Sequence, residues 1–134
     1  MGFLRRRAGQ LTAVKIKRSL AEGLLEVSRE LHPKEFIALL RVRRGVIAEV
    51  VVPPFSVYGI GESSFPLHEL PIDMSLVGSV HSHPSGDPRP SKQDLNVAFA
   101  FGVVHLIVSY PYTGVENIHA YDKDGNPLKL IVVE

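Results

Sequence analysis

The stretch of sequence that determines the fold around the candidate site is VGSVHSHPSGDPRPSKQD, residues 77–94. Its first part, residues 77–83, is interpreted as a β-strand that the proline at position 84 ends. A loop rich in proline, glycine, serine and aspartate follows, and Ser91 then begins a predicted helix. Because alternate residues of a strand point to the same face, the rings of His81 and His83 are predicted to project side by side.

These two histidines and Asp94 are the candidate ligands of a metal ion. The intervening Ser82 is predicted to face away from them. Asp94 falls in the first turn of the predicted helix, where the helix dipole favours a carboxylate, and the loop is long enough to bring that turn over the end of the strand. Two histidines and one carboxylate leave the fourth position of a tetrahedral zinc ion open, as in catalytic sites. Simpler explanations stay open, because paired histidines often bind no metal and Ser91 with Asp94 is ordinary helix-start chemistry.

The rest of the chain predicts strands and one further helix. Ser19 and Glu22 have the spacing of a capping box, so a helix is expected to begin there and to end before Pro33. The segment 55–74 is expected to form loops around a short strand near residues 63–70. The other predicted elements are a strand at 12–18, a hairpin at 35–42 and 46–52, a strand at 103–110 after a helix that Gly102 ends, and a hairpin at 115–121 and 128–133.

Two helices flanking six or seven strands predict an α/β domain of two or three layers around a mixed sheet. The length of 134 residues suits one hydrophobic core, so we expect a single domain spanning residues 1–134. No repeat, low-complexity tract or internal linker divides the chain.

Composition excludes several classes of function. The absence of cysteine excludes disulfides, a cysteine nucleophile and thiolate metal sites, so any zinc must be bound by histidine and carboxylate. No apolar run reaches the length of about 20 residues that a membrane-spanning helix needs, and the basic N-terminus lacks the pattern of a secretory signal, which predicts a cytoplasmic protein. A net charge of only +1 and the lack of a known module make nucleic-acid binding an unfavoured interpretation.

The motif residues resemble those of a known family, the JAMM (MPN-plus) metalloproteases. Their pattern is His-x-His, seven residues, a serine, two residues and an aspartate, with a glutamate upstream, and His81, His83, Ser91 and Asp94 match it without a gap. Segments 32–40 and 110–112 also look like the small archaeal members of that family. The resemblance implies an MPN fold, which is a three-layer α/β/α sandwich related to cytidine deaminases. It also implies zinc-dependent hydrolysis of isopeptide or peptide bonds at the C-terminus of ubiquitin-like proteins.

Residue by residue, the resemblance implies that His81, His83 and Asp94 bind one zinc ion. Glu35 would be the general acid/base that handles the proton of the activated water, and Ser91 would donate a hydrogen bond to the oxyanion. Among the glutamates, the alternatives to Glu35 are residues 49 and 62, which also lie in strand or loop segments.

Several alternatives to a peptidase of ubiquitin-like modifiers can be weighed from the sequence. A non-catalytic MPN scaffold that binds a partner is the main alternative class, and processing of the C-terminus of a sulfur-carrier protein is an alternative substrate. His68-Glu69 begins like the His-Glu-x-x-His zinc motif, but Ile72 stands where the second histidine should be, so that motif is absent. A base deaminase would need cysteines, which the chain lacks. His105 and His119 are interpreted as core or surface residues. The substrate's tail is expected to bind as an added strand at a sheet edge, without involvement of a membrane.

Overall fold

The computed structural model describes residues 4–7, 10–52, 74–96 and 102–134, with side chains from residue 11 onward. Its elements in chain order are β1 (Leu4–Arg7), β2 (Gln10–Lys17), α1 (Arg18–Leu31), β3 (Ile37–Arg43), β4 (Val46–Val51), β5 (Leu76–His83), α2 (Lys92–Asn96), β6 (Val104–Ser109), a short 3-10 helix (Val115–Asn117), β7 (Ile118–Tyr121) and β8 (Pro127–Val133).

The eight described strands form one mixed sheet in the order β1-β2-β4-β3-β5-β6-β7-β8. β5 and β6 are parallel, and the hairpins β3–β4 and β7–β8 are antiparallel. β2 also pairs in parallel with β8, from Ala13 with Lys129 to Lys17 with Val133, so the sheet closes on itself like a barrel. The α/β class and the mixed sheet are confirmed, whereas the closure was not predicted and the three-layer arrangement stays a prediction.

Helix α1 forms as expected but begins differently. Its N-cap is Lys17, in an extended conformation with φ −69° and ψ 135°, and no side chain caps it. The predicted capping box of Ser19 and Glu22 is therefore wrong. The physical reason is that β2 runs directly into the helix, so the last residue of the strand serves as N-cap and Ser19 falls inside the first turn. The helix ends at Leu31, two residues before Pro33, as predicted.

The central hairpin is confirmed, with β3 and β4 joined by a two-residue turn. Arg44 and Gly45 have positive φ angles of 53° and 79°, which define the type I′ turn that suits the twist of two antiparallel strands. Residues Ile37 to Leu40 of β3 are all buried, so both faces of this strand are covered. β3 is therefore a central strand, and it pairs with β5 from Ile37 opposite His81 onward.

The two faces of β5 have different surroundings. Val80 belongs to the main apolar cluster, which also contains Leu24 and Leu25 of α1. Since side chains alternate along a strand, His81 points away from α1. On that opposite face, Leu95 of α2 packs with Ile107 and Tyr121. The metal-ligand candidates thus lie on the face that α2 begins to cover.

Two predictions fall on residues that the structure does not describe. The loops and short strand expected within 55–74 lie outside the described residues apart from Met74, and so does the end of the helix that begins at Lys92. The single-domain organisation over residues 1–134 also stays a prediction. Within the described segments, no helix combines the length and the apolar character that crossing a membrane would take.

Candidate metal centre

The two histidines at the end of β5 face each other. The Nε2 atoms of His81 and His83 lie 3.1 Å apart, as the two-residue spacing on a strand predicts. His81 is wholly buried, and the side chain of His83 is 13% exposed. The pair therefore presents two ring nitrogens to one point, with access from the side of His83.

Asp94 completes the group from the first turn of α2. Its Oδ1 lies 3.2 Å from His81 Nε2, and its Oδ2 lies 3.0 Å from His83 Nε2. Ser91 caps the helix, because the Asp94 N–H donates to Ser91 Oγ at 3.0 Å and the Ser91 N–H donates to Asp94 Oδ2 at 2.7 Å. Asp94 therefore belongs both to the helix cap and to the candidate ligand set.

The charge state of Asp94 follows from these contacts. Burial alone would raise its pKa, but hydrogen bonds from His81 and His83, followed by the Ser91 N–H, hold the pKa of this carboxyl well below its usual range. Asp94 is thus ionised at any pH near neutrality, which is the state that a metal ligand needs.

A backbone contact orients the ring of His83. Its Nδ1 lies 2.8 Å from the carbonyl oxygen of Asp87, an acceptor, so Nδ1 carries the proton. In the neutral ring this tautomer leaves the Nε2 lone pair for a metal ion, as outer-shell hydrogen bonds do in known metal sites, whereas the hydrogen bond from Nε2 to Asp94 belongs to the protonated ring. Burial lowers the pKa of His83, but its hydrogen bonds to Asp94 and to the Asp87 carbonyl outweigh burial and raise it overall.

The three donors fit one zinc ion. Each of His81, His83 and Asp94 offers a ligand atom, and these atoms lie within 4.8 Å of one another. Ligands about 2.0–2.1 Å from a tetrahedral zinc ion are about 3.3 Å apart, close to the 3.1 Å between the two histidine Nε2 atoms and the 3.0 Å from His83 Nε2 to Asp94 Oδ2. Two imidazoles and a carboxylate are also the donor types that zinc accepts when no thiolate is present.

The group opens into a cavity of about 440 Å³. Glu35, His83, Ser91 and Asp94 all line it, so the predicted acid/base, the predicted oxyanion donor and two of the three candidate ligands share one space. Glu35 is half-buried just before β3. Burial raises the pKa of Glu35, although the nearby imidazoles of His81 and His83 oppose this effect.

The glutamates that competed with Glu35 are placed differently. Glu49 forms ion pairs with Arg43 at 3.0 Å and with Arg41 at 3.4 Å, and it does not line the cavity. Its carboxylate therefore already has surface partners on the central hairpin. Glu62 lies outside the described residues.

One wall of the cavity is a loop whose supports the sequence did not reveal. Arg89 forms an ion pair with Asp87 at 3.0 Å, and the Tyr121 hydroxyl donates to the carbonyl oxygen of Pro88. These contacts fix the loop that supplies the acceptor for His83. Asp87 carried no signal in the sequence, because its contribution is a backbone carbonyl. Tyr121 carried a weak one, because the alternation of β7 places it on the same face as His119.

The other two strand histidines are bound to buried serines. His105 Nδ1 lies 2.7 Å from Ser79 Oγ, and burial, with the charge of His81, lowers its pKa to about 3. His119 Nε2 lies 3.0 Å from Ser109 Oγ. Neither belongs to the group of possible metal ligands found among the described residues.

Similarity to known proteins agrees with this geometry. The chain matches the family of prokaryotic homologs of the JAB domain over residues 17–122. It is 35% identical over 120 residues to a probable metalloprotease of Haloferax volcanii, covering 82% of this chain and 73% of that protein.

Two solved structures share the fold over nearly the whole chain. A JAB1/MPN domain protein from Archaeoglobus fulgidus is 40% identical with a TM-score of 0.72, covering 90% of this chain and 100% of that one. A structure described as JAMM, a metalloprotease-like zinc site in the proteasome and signalosome, is 36% identical with a TM-score of 0.71, covering 92% and 100%.

The fold, the donor group and these similarities together define the class: the chain belongs to the JAMM/MPN family, in the group of prokaryotic JAB homologs. Within that family the protein is a zinc metallopeptidase, and one zinc ion fits the group formed by His81, His83 and Asp94. The predictions of the family, of the enzyme class and of the cofactor are confirmed. The alternative of a non-catalytic scaffold is thereby disfavoured.

Proposed function

We propose that the protein hydrolyses peptide or isopeptide bonds at the C-terminus of ubiquitin-like modifier proteins, with His81, His83 and Asp94 as the ligands of its zinc. The observation that supports the proposal is that two of these donors, His83 and Asp94, line the same cavity as Glu35 and Ser91, with His81 buried behind them. A zinc ion held there would supply Lewis-acid chemistry, which acidifies a bound water molecule and polarises a carbonyl group.

Glu35 acts as the general acid/base in this proposal. Its position in the wall of the cavity that His83 and Asp94 also line supports this role, and its raised pKa moves the carboxyl toward the working pH, where proton transfer is most efficient. Glu35 takes the proton of the attacking water and then delivers it to the leaving amine. No covalent intermediate with the protein is required.

Ser91 donates a hydrogen bond to the oxyanion that forms on the substrate carbonyl. Its Oγ accepts the Asp94 N–H, which uses a lone pair of the hydroxyl and leaves the hydroxyl proton available as a donor. Because capping also holds Ser91 in place, the donor is oriented before the substrate binds, as electrostatic catalysis requires.

An extended tail suits the surroundings of the site. β4 pairs with β2 only at Ile47, opposite Ile16, and no described strand runs along residues 48–51 on that side. Val51 pairs with Leu39, two residues from Ile37, whose partner is His81. A tail added beside the end of β4 would therefore run toward the metal centre with its backbone groups satisfied.

Two groups of substrates share this tail chemistry, and the cleavage experiment separates them: a modifier joined to lysine, and a sulfur-carrier-type protein with a C-terminal extension. We also retain the cytoplasm as the proposed site of action, since a chain without cysteine suits a reducing compartment.

The fold proposal is a single MPN domain over residues 1–134 in a three-layer α/β/α arrangement. α1 covers one face of the sheet, and Leu95 of α2 packs against Ile107 on the other, which supports a second helical layer. A structure of the zinc-loaded protein at high resolution tests this arrangement.

Cleavage of defined substrates tests the proposed function. The zinc-loaded protein is incubated with linear fusions of ubiquitin-like domains, with lysine conjugates of the same domains, and with tail-extended sulfur carriers. We expect cleavage directly after the tail, lost after chelation and restored by zinc. The matched control is Asp94→Ala, which should cleave nothing. A folded, zinc-loaded wild-type protein that cleaves no member of this panel would contradict the proposed substrate class.

A further inference from the structure

The segment that carries Glu35 has no helix or strand of its own. It runs from His32, after α1, to Phe36, before β3. At its first end, the Lys34 N–H donates to the Leu31 carbonyl at 2.8 Å, and His32 Nδ1 lies 2.9 Å from the Tyr112 hydroxyl. Glu35 lies next to the other end of the segment, at Phe36, so the contacts of Phe36 also determine the position of Glu35.

Ser82 holds that end with two hydrogen bonds. The Phe36 N–H donates to Ser82 Oγ at 2.8 Å, and the Ser82 N–H donates to the Phe36 carbonyl at 3.0 Å. In a regular antiparallel pair, the acceptor of the first bond would be the main-chain carbonyl of Ser82. The Ser82 hydroxyl takes the place of this carbonyl at Phe36, just before the chain enters β3. The Phe36 N–H therefore keeps an acceptor, although the backbone at Glu35 is no longer paired with β5.

The location of Ser82 separates this role from contact with substrate. Ser82 is wholly buried, and the alternation of β5 directs its side chain away from the face of His81 and His83. It nevertheless lies between these two residues in sequence. β5 thus presents His81 and His83 on one face. Ser82, whose side chain points to the other face, hydrogen-bonds to the segment that carries Glu35.

We propose that Ser82 is a positioning residue that fixes Glu35 relative to the metal centre. This inference rests on the proposed function, in which Glu35 is the general acid/base. A displacement of about 1 Å at a catalytic group can lower a rate about a hundredfold, so even a small movement of this segment reduces turnover.

Two variants and one matched control test the role. Ser82→Ala removes the acceptor of the Phe36 N–H, whereas Ser82→Thr keeps the hydroxyl on a side chain that suits a strand. Ser79→Ala is the control, because Ser79 is a wholly buried serine on the same strand whose hydroxyl contacts His105 at 2.7 Å instead. All are compared as zinc-loaded proteins with equal metal content.

Two measurements are made on each protein: hydrogen exchange of the Phe36 amide by NMR, and kcat and KM for a linear fusion of a ubiquitin-like domain to a reporter. For Ser82→Ala we expect the amide to exchange about tenfold faster and kcat to fall about tenfold to a hundredfold, with KM nearly unchanged. Ser82→Thr should restore both values. Ser79→Ala should lose stability without changing either.

Three results would overturn the role of Ser82: unchanged exchange of the Phe36 amide in Ser82→Ala, faster exchange without a change in kcat, or an equal fall of kcat in Ser79→Ala. If the wild-type protein cleaves no fusion, the proposed function fails. The exchange measurement then still decides whether Ser82 holds the segment, so the two failures are distinguishable.

Discussion

Replacing Glu35 by glutamine should separate metal binding from proton transfer. The side chain lines the cavity but is not one of the three grouped donors, so Glu35→Gln should keep its zinc and its fold. General acid/base groups contribute about a hundredfold to ten-thousandfold, and we expect kcat to fall by that factor. The assay is single-turnover cleavage of a ubiquitin-like fusion at saturating enzyme, with the zinc content of each sample measured.

The same substitution should stabilise the zinc-free protein at neutral pH. Burial raises the pKa of Glu35 above its ordinary 4.5, so the native state binds this proton more readily than the unfolded chain does. The free energy of unfolding therefore decreases as pH rises from that ordinary value through the raised one. Glutamine does not ionise, so Glu35→Gln should remove this decrease and raise the free energy of unfolding, measured by urea denaturation at pH 7 and pH 4.

Glu49→Gln is the matched control with the opposite sign. The Arg43 hydrogen bond, opposed by slight desolvation and aided by Arg41, lowers the pKa of Glu49, so its ionised form stabilises the native state above pH 4.5. Glu49→Gln should therefore slightly destabilise the protein at pH 7 and leave cleavage unchanged. Near-normal cleavage by Glu35→Gln would refute its role as base, and loss of zinc from that variant would make Glu35 a ligand instead.

Three further predictions concern the metal centre. His83→Ala and Asp94→Ala should each retain far less than one zinc per chain by atomic absorption after dialysis, and full occupancy in both would exclude this ligand set. Ser91→Ala should cost about 1 kcal/mol of stability by loss of the cap but about a hundredfold to a thousandfold in turnover, and a drop in stability alone would leave Ser91 as a cap only. Because the pKa of His83 is raised above 6.5, protons should displace zinc as the pH falls through this raised pKa, and retention independent of pH would contradict this.

The grouping of the three candidate donors was predictable because it depends on local features of the sequence. His81 and His83 need only the alternation of a strand, and Ser91 and Asp94 need only the geometry of a helix start. Both patterns act over a few residues, so the three donors could be named from the sequence. Glu35 was predictable only by resemblance, because its position in the cavity depends on the pairing of β3 with β5.

The features that escaped prediction depend on contacts between distant residues or on the backbone. Closure of the sheet needs β2 beside β8, and neither strand carries a pattern that names its partner. The tautomer of His83 depends on a carbonyl group of Asp87, which every residue possesses. The start of α1 was misplaced because a local capping motif at Ser19 competes with the direct continuation of the strand into the helix.

The closure of the sheet has a consequence for the order in which the protein folds. Pairing Ala13 with Lys129 joins strands from opposite ends of the described chain, and contacts so distant in sequence slow folding because a long loop must first be ordered. On the ribosome, β2 must wait for β8 to emerge before the ring is complete. The segment from His81 to Asp94 also needs partners that are synthesised after it, since β5 pairs with β6 and Tyr121 of β7 supports its loop, so the metal centre is completed late as well.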